Sequence, residues 1–254
     1  MPVLKKIIKV LLLISIILFV YSYFRKDNLP GKGDILDQLY QEPIQTETDA
    51  APFTKEKGGI VYNITPIYNY ELYGLVVSYH HSKSWFDYYH EKWKDFINIK
   101  DVCVIWGNNI ETEVYKEMKF NSGSWTCYFK FKSGTSQEVW SKFKNDSGSN
   151  NHLLSDIEEV NEMIMNVEEG DQVYLKGYLV EYSSNEGFRR GTSVTRTDTG
   201  NGACETIYVT DLQIIKKANP LWHSIYSFSK YSIIACFVIL LLLFFKPIRP
   251  LNRF

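Results

Sequence analysis

Two long apolar runs lie near the ends of this 254-residue chain. The first covers Val10–Phe24 and the second covers Tyr231–Phe245, and each can be extended by neighbouring apolar positions that include one lysine. A helix of about 20 apolar residues is long enough to cross the hydrocarbon core of a bilayer. We therefore expect membrane-spanning helices within residues 1–24 and 225–245, and a basic cytoplasmic tail over residues 246–254.

Between these runs, apolar and polar positions alternate with the period of two that is typical of strands. Predicted strands cover Tyr70–His80, Ile99–Gly107, Gly170–Tyr182 and Glu205–Ile215, and a predicted hairpin turns at Asn121–Gly123. The stretch before them, residues 25–59, is polar and rich in turn residues, which predicts a tether with at most a short helix near Ile35–Tyr40. The folded domain is predicted to cover residues 60–218.

Helical patterns are fewer. Aromatic and apolar side chains recur along one face of Ser84–Ile97, which predicts an amphipathic helix. Capping boxes at Thr135–Glu138 and Ser155–Glu158 predict two more helix starts. The polar segment Lys144–Leu154 between them is predicted to be a loop. This order of elements indicates a mainly β domain with added helices, that is, an α+β fold.

Basic residues flank both apolar runs on the side of the chain termini. Because such flanks stay in the cytoplasm, we expect two spans in the cell (inner) membrane, both termini in the cytoplasm and the central domain outside. An uncleaved first span is favoured over a cleaved signal peptide, since no A-x-A site follows it.

The charge of the central part limits its partners. All 29 acidic residues but only 22 of the 28 basic residues lie between Arg25 and Lys230, which gives a formal charge of about −7. Nucleic acid is not an expected partner, because its binding proteins normally present a basic surface. Enrichment in Asn, Lys, Ile and Tyr is typical of a bacterium of low GC content. The expected partners are the membrane and either an envelope polymer or a protein.

Of the four cysteines, Cys236 lies in the second apolar run, and the other three would face an oxidising compartment. Cys103 and Cys127 both lie within predicted strands that could be neighbours, so we expect a disulfide between them. Cys204 begins a strand after a long polar loop and is expected to remain a free thiol. No C-x-x-C motif is present, and the cysteines do not indicate a metal site.

The two clearest strands also resemble a known family. The patterns Gly-Asp-x-Val-x-Leu-x-Gly-x-Leu-Val at Gly170–Val180 and Glu-x-Ile-x-Val-x-x-Leu-x-Ile-Ile at Glu205–Ile215 resemble the OB-fold superfamily, especially its tRNA-anti-like domains. The resemblance covers about residues 70–215, and the predicted helix at Ser84–Ile97 departs from it. It implies an OB-like small five-stranded barrel between two transmembrane helices.

The resemblance also implies a ligand site, because OB folds bind ligands with the loops that join strands one to two and four to five. The candidate ligand-binding residues in these two loops are Arg189, Arg190, Arg196, Asp198, His80, Trp85 and Tyr88. Arginine binds carboxylate or phosphate, and aromatic rings can stack on sugars. We therefore expect Arg189–Gly202 to be a binding loop. An ion pair between Arg196 and Asp198 that shapes the loop is an equally good interpretation.

A catalytic alternative depends on Cys204, the one nucleophile in a polar setting, and on His152 upstream of it. This order is similar to sortases, in which His and Cys cooperate in acyl transfer. The chain departs from them, because Gly202 and Ala203 precede the cysteine in place of a Thr-Leu-x-Thr motif, and no arginine follows it until the C-terminal tail. Structural interpretations also stay open. Cys204 can be a small residue that begins a strand, and His152 can be a polar residue of a loop or a helix cap.

No motif for a cofactor is present, and His80, His81 and His90 lack a carboxylate at the spacing of a metal site. The sequence favours a non-enzymatic, membrane-anchored extracytoplasmic domain that binds an envelope component or a partner protein, or acts as a scaffold. The alternative is a cysteine-dependent envelope enzyme that uses Cys204 and His152 for acyl transfer.

Overall fold

The computed structural model describes residues 2–82, 87–198, 200 and 202–245. Within these residues the α-helices are α1 (Pro2–Lys26), α2 (Tyr89–Lys92), α3 (Gly107–Glu111), α4 (Gln137–Trp140), α5 (Glu158–Asn166) and α6 (Pro220–Phe245). The strands are β1 (Ile44–Glu47), β2 (Phe53–Lys57), β3 (Ile60–His81), β4 (Asn98–Ile105), β5 (Met118–Gly123), β6 (Thr126–Phe131), β7 (Gly148–Leu154), β8 (Gln172–Ser184), β9 (Arg189–Arg190) and β10 (Glu205–Lys216). Short 3-10 helices cover Lys32–Asp34, Asp37–Tyr40, Val114–Glu117 and Asn145–Ser147.

The chain forms two compact units, one made by the two terminal helices and one by Leu29–Ala218. In the first unit α1 packs on α6. Ser15 Oγ lies 2.8 Å from Ser232 Oγ, and the rings of Phe19 and Tyr226 stack with centroids 4.8 Å apart. Small hydroxyl residues at such a contact allow two helices to approach closely. Among the described residues, α6 is the one helix that is long and apolar enough to cross a membrane.

In the second unit, five strands pair in a ring that returns to its first strand. Strand β3 pairs with β4, β4 with β7, β7 with β10, β10 with β8, and β8 again with β3. The β7–β10 pair is parallel and the other four are antiparallel. Helix α5 connects β7 to β8. The unit is therefore α+β and mainly sheet, as the sequence predicts.

Alternation along β4, β7 and β10 divides their side chains between two faces. On one face, Val102, Leu153 and Ile207 are buried in the main hydrophobic core. The opposite face carries Asp101, Cys103, Asn150 and His152 as well as the apolar Ile105, and it forms the floor of the candidate site described below. Gly177 lies where β8 and β10 approach closely, because a Cβ atom there would be 2.1 Å from the carbonyl oxygen of Tyr208.

Residues 25–59 are not the polar tether that the sequence predicts. They contain two short 3-10 helices and the strands β1 and β2, both of which pair with β3. Leu39 is fully buried. The two strands keep mostly exposed or half-buried side chains, so their composition does not show the apolar alternation of a core strand. The folded unit therefore begins at Leu29 and not near Ile60.

The long amphipathic helix predicted at Ser84–Ile97 is wrong in extent. Only α2, Tyr89–Lys92, is helical among the described residues of that segment. Lys94 has a left-handed backbone with a φ of 53°, which ends the helix, and Ile97 is fully buried beyond it. Residues 83–86 of the predicted helix lie outside the described part of the chain.

The segment Lys144–Leu154, predicted as a loop, instead supplies the central strand β7. Its polar residues Asn150, Asn151 and His152 are buried and do not show the apolar pattern of a strand. Hydrogen bonds reach most of these polar atoms: the Asn151 side-chain amide donates to the Val102 carbonyl oxygen at 3.1 Å, whereas Asn150 Oδ1 has no partner among the described residues. Buried polar groups of this kind carry little cost when they have partners.

The hairpin of β5 and β6 turns at Ser124 and Trp125 and not at Asn121–Gly123, since residues up to Gly123 still pair with β6. The loop predicted at Arg189–Gly202 is also shorter than expected, because Arg189 and Arg190 form strand β9, which pairs with β8. A disulfide joins Cys103 on β4 to Cys127 on β6, the pair that the sequence analysis expects. This bond fastens the hairpin to the ring of strands.

Candidate functional site

A cavity of about 1010 Å³ opens on the face of β4, β7 and β10 that is turned away from the main core. Small-molecule sites typically have volumes of about 300–1,000 Å³. The floor comes from these three strands, and the walls come from the β5–β6 hairpin and the segment between β8 and β10. Residues that line it include Cys103, Ile105, Phe120, Trp125, Phe129, Phe143, Asn150, His152, Phe188, Arg189, Arg190, Asp198 and Cys204.

Strand pairing brings an acid, a histidine and a cysteine to this one face. Asp101 on β4 is the cross-strand partner of His152 on β7, and Thr206 on β10 is the partner of the same histidine. Cys204 precedes Thr206 by two residues, so its side chain shares that face and lies beside Asn150. The side-chain nitrogen of Asn150 is 3.5 Å from Cys204 Sγ. Two adjacent strands and the residue directly before a third thus carry three residue types that cooperate in nucleophilic catalysis.

His152 and Asp101 form a buried ion pair, with Nδ1 of the histidine 2.7 Å from Oδ1 of the aspartate. Burial opposes protonation of the imidazole, but the charge and hydrogen bond of Asp101 dominate and raise the pKa of His152 to about 9. A hydrogen-bonding contact with Cys204 raises this pKa further. His152 is therefore an imidazolium at neutral pH. Its Nδ1 is occupied by the carboxylate, which leaves Nε2 for the thiol.

Asp101 is held in place by donors from three directions. Besides His152, the Asn98 side-chain amide donates to Oδ1 at 2.9 Å, and the Trp125 backbone N–H donates to Oδ2 at 3.0 Å. Burial alone would raise the pKa of Asp101, but the charge and hydrogen bond of His152, with the other donors, hold it well below its usual range. The carboxylate is thus a fixed, ionised group that orients the imidazole.

A second histidine network lies next to the first. Asp87 accepts from His90 Nδ1 at 2.7 Å and contacts His80 Nε2 at 2.6 Å, and the three could in principle hold a metal ion. However, the Trp125 indole N–H donates to His90 Nε2 at 2.8 Å. An indole nitrogen can only donate, so Nε2 is unprotonated and Nδ1 carries the proton. A protonated Nδ1 has no lone pair for a metal, and the cluster is a hydrogen-bonded support for Trp125.

Three of the predicted ligand-binding residues, Arg189, Arg190 and Asp198, line the cavity. The Arg190 guanidinium lies over the ring of Trp125, 4.7 Å from its centroid. Asp198 accepts a hydrogen bond from Ser193 Oγ at 2.7 Å. These positions bring part of the predicted binding loop to the mouth of the Cys204 cavity.

Arg196 does not join them. Its Nη1 lies 3.1 Å from Glu205 Oε1, and its guanidinium lies 5.2 Å from the ring centroid of Tyr70 and 5.8 Å from that of Trp106. The predicted pairing of Arg196 with Asp198 is therefore replaced by a pairing with Glu205, which is buried. Arg196 fastens the loop to the sheet and is not available to a ligand in the cavity.

The residues predicted for the other loop are also placed elsewhere. His80 belongs to the Asp87 network, and Tyr88 is 64% exposed against Tyr89, outside the lining of the cavity. Trp85 lies outside the described residues. Asp101 and Asn150 are site residues that were not predicted from the sequence. Two charged residues, Lys100 and Asp101, in the otherwise apolar Ile99–Gly107 pattern were the available signal, because such residues are buried only with partners.

Comparison of the chain with protein families, curated proteins and solved structures finds no match, so the function must be argued from this geometry.

Proposed function

We propose that this protein is a cysteine-dependent enzyme of acyl transfer or hydrolysis, in which Cys204 is the nucleophile. The observation that carries the proposal is the cross-strand placement of Cys204, His152 and Asp101 on one face, with the thiol open to a cavity. His152 exchanges a proton with Sγ, and Asp101 fixes its tautomer and charge. The same division of roles defines nucleophile, base and orienting group in unrelated folds.

The residues support a two-step reaction. Cys204 Sγ attacks a carbonyl carbon as a thiolate, the bond from that carbon to the leaving oxygen, sulfur or nitrogen breaks, and the leaving atom takes the proton from the His152 imidazolium. Water or an amine then attacks the thioester, gives a proton to the neutral His152 and releases the acyl group, which restores the thiolate and the imidazolium. Asn150 is placed to stabilise the oxyanion, because its side-chain NH₂ group, a hydrogen-bond donor, lies beside Sγ.

An OB-like barrel is the scaffold we propose for this site. The closed ring of five strands, its single parallel pair and the helix between β7 and β8 support it. In chain order the ring runs first, second, third, fifth and fourth strand, and back to the first. The cavity lies on the second, third and fifth of these strands, and OB folds bind ligands on the face around strands two and three.

A position outside the membrane is part of the same proposal, with two spans and both termini in the cytoplasm. The apolar character of α6 supports the second span, and the packing of α1 on α6 supports a helical pair. The Cys103–Cys127 disulfide supports an oxidising compartment for the domain, because disulfides persist mainly outside the cytosol.

A binding or scaffold domain for an envelope component or a partner protein is the second candidate. The observation that favours it is the cavity itself, whose mouth carries Arg189 and Arg190. Such a domain would need the arginines and not the thiol.

Turnover of thioester and activated ester substrates by the full chain in detergent distinguishes the two candidates. We expect Cys204→Ser and His152→Gln to lower the rate at least about 100-fold, since nucleophile and base act as a unit. Cys236→Ser, in the buried part of α6, is the matched control and should leave the rate unchanged. Equal turnover in Cys204→Ser and wild type would sink the enzyme proposal. A cellular phenotype from Arg190→Gln but not from Cys204→Ala would favour the binding domain.

A further inference from the structure

The cavity has two chemically different ends, and Cys204 lies between them. One end, here called the apolar end, is formed by Ile105, Phe120, Phe129 and Phe143. The other, the cationic end, is formed by Trp125, Phe188, Arg189 and Arg190. Both sets of residues belong to the strands and segments that form the walls and floor of the cavity.

Strand register places the thiol between these ends. Along β4 and β7 the paired positions run from Ile105 with Gly148, through Cys103 with Asn150, to Asp101 with His152. Cys204 lies beside Asn150, the middle pair. Trp125 lies at the His152 side, because its backbone N–H donates to Asp101, and it carries the Arg190 guanidinium on its ring.

Arg190 places a guanidinium at the cationic end. The ion pairs among the described residues do not include it. Its contacts are the faces of Trp125 and Phe188, at 4.7 and 5.7 Å from the ring centroids. Burial raises the pKa of Asp95, and the charge of Arg190 opposes this rise. Asp95 is fully buried, and both of its carboxylate oxygens accept from the Tyr182 hydroxyl. A guanidinium stacked on two aromatic rings keeps its donors free for an anion.

The other charged groups of the lining leave a positive surplus. Arg189 adds a second guanidinium, and the ion pair of His152 with Asp101 is balanced. Asp198 is the one carboxylate among the described lining residues, and the Ser193 hydroxyl already donates to it. An anionic group of a ligand would therefore be attracted to Arg190.

The apolar end suits a chain of methylene groups or a ring. Phe129 and Phe143 contact each other with centroids 4.8 Å apart, yet Phe129 remains 48% exposed. An apolar group placed there would remove this ring surface from water, which is favourable at about 25 cal/mol per Å².

The polarity of the site points to a substrate class. We infer that the substrate is an ester or thioester with an apolar acyl group and an anionic leaving group. This inference rests on the proposed function. The leaving atom must lie near His152, which donates its proton, and His152 is at the cationic end. The anion therefore belongs to the leaving group, beside Arg190, while the acyl group extends from the thioester carbon towards Phe129 and Phe143.

The first experiment tests the cationic end without requiring turnover. Cys204 of the full chain in detergent is alkylated with iodoacetate and, separately, with the neutral iodoacetamide, and peptide mapping follows Cys204 apart from Cys236. The rate with iodoacetate divided by the rate with iodoacetamide should fall about 3- to 10-fold in Arg190→Gln. This is the change expected when one nearby positive charge is removed from a partly screened site. Lys130→Gln, which removes one exposed charge outside the cavity, should keep the wild-type ratio. An unchanged ratio in Arg190→Gln would overturn the assignment.

The same assay tests the apolar end through protection. Octanoate combines a carboxylate with an apolar chain and should slow iodoacetamide alkylation of Cys204 more strongly than acetate does. Phe129→Ser should abolish that difference while leaving the iodoacetate ratio intact. Equal protection by octanoate and acetate in the wild type would overturn the apolar-end assignment.

Turnover then separates this inference from the proposed function. Octanoyl and acetyl esters are compared with a neutral nitrophenol and with a carboxylated nitrophenol as leaving group. We expect the octanoyl ester of the carboxylated phenol to be preferred, and Arg190→Gln to remove the preference for the carboxylate. Turnover that needs Cys204 but shows neither preference overturns the inference and leaves the proposed function standing. If the alkylation preferences are found but no turnover depends on Cys204, the cavity binds an anion and the proposed enzymatic function is wrong.

Discussion

Nη1 of Arg196 lies 3.1 Å from Oε1 of Glu205, the residue that directly follows Cys204. The glutamate side chain is 4% exposed and the arginine side chain 21% exposed. Burial raises the pKa of Glu205 to about 7, and the charge of Arg196 opposes this rise. The pair therefore fixes the segment before β10, and with it the position of the nucleophile.

Replacement of Arg196 by alanine should lower the free energy of unfolding by about 2–3 kcal/mol. Removal of one partner of a fully buried pair costs about 3–5 kcal/mol, and the partial exposure of Arg196 reduces this figure. Denaturant unfolding of the full chain in detergent measures the change. Arg189→Ala, at an exposed position, is the matched control and should change stability by less than about 0.5 kcal/mol. Equal effects of the two substitutions would contradict the structural role of Arg196.

The penalty of Arg196→Ala should also depend on pH. Because burial raises the folded-state pKa of Glu205, its contribution to stability is complete below the unfolded value of about 4.3 and is lost as the pH rises through about 7. Without the arginine, ionisation of Glu205 becomes still less favourable. The difference between variant and wild type should therefore grow from pH 5 to pH 8, and a difference that stays constant would argue against a charged pair.

Strands β8 and β10 were predictable from sequence because they are rich in β-branched and aromatic residues and follow glycine-containing turn signals. The Cys103–Cys127 bond was predictable for the same reason, since both residues lie inside strands with a readable pattern. For β7 the prediction failed because Asn150 and His152 look like loop residues when their partners are unknown. Their burial depends on Asp101 and Cys204, which lie on other strands.

The candidate site shows the same limit. Cys204 and His152 could be singled out by residue type, but the pairing of Asp101 with His152 could not, because the two residues lie 51 positions apart. Arg196 was predicted to bind a ligand or to pair with Asp198, but it pairs with the buried Glu205. The polar composition of the loop does not indicate that this arginine packs against the sheet. Cross-strand register, which fixes these contacts, is a property of the pairing and not of any single strand.

Asp101→Asn should shift the ionisation of His152. Burial then acts on the imidazole without the carboxylate, so the pKa of His152 should fall from about 9 to below its ordinary value near 6.5. The high-pH limb of Cys204-dependent turnover, where His152 loses the proton that it gives to the leaving group, should move from about pH 9 to a lower pH. The histidine ring signals in NMR spectra give the same shift independently of turnover. Asp49→Asn, at an exposed position, is the control.

Asp101→Asn should also lower the free energy of unfolding, by an amount that depends on pH. His152 has a raised pKa, so its contribution is fully present below about pH 6.5 and disappears as the pH rises through about 9. Asp101 has a depressed pKa, so its contribution is present above about pH 3.9 and disappears as the pH falls. The loss in Asp101→Asn should be greatest between about pH 4 and 6.5, at about 3 kcal/mol, and smaller at pH 10. A loss that increases with pH would contradict the ion pair.

Removal of the disulfide should both destabilise the domain and loosen the cavity. Cys103 and Cys127 are 24 residues apart, and closing a loop of that length contributes about 3 kcal/mol in the chain-entropy model. The Cys103→Ser, Cys127→Ser double variant should therefore unfold at lower denaturant concentration. Cys204 should also react faster with a bulky maleimide, because the hairpin that walls the cavity is no longer fastened to β4. Unchanged maleimide reactivity would show that packing alone holds the hairpin.

The contact between Ser15 and Ser232 predicts a specific cross-link between the two terminal helices. Their hydroxyl oxygens are 2.8 Å apart, so cysteines at both positions should lie close enough to form a disulfide. In a Cys236→Ala background, mild oxidation of Ser15→Cys with Ser232→Cys should join the N-terminal and C-terminal fragments after cleavage at a protease site inserted at Gly59. The control pairs Ser15→Cys with Phe237→Cys, a position whose side chain is 62% exposed. Fragments that separate in both variants would show that α1 does not pack on α6 in this register, and equal cross-linking in both would show a pair of helices without a fixed register.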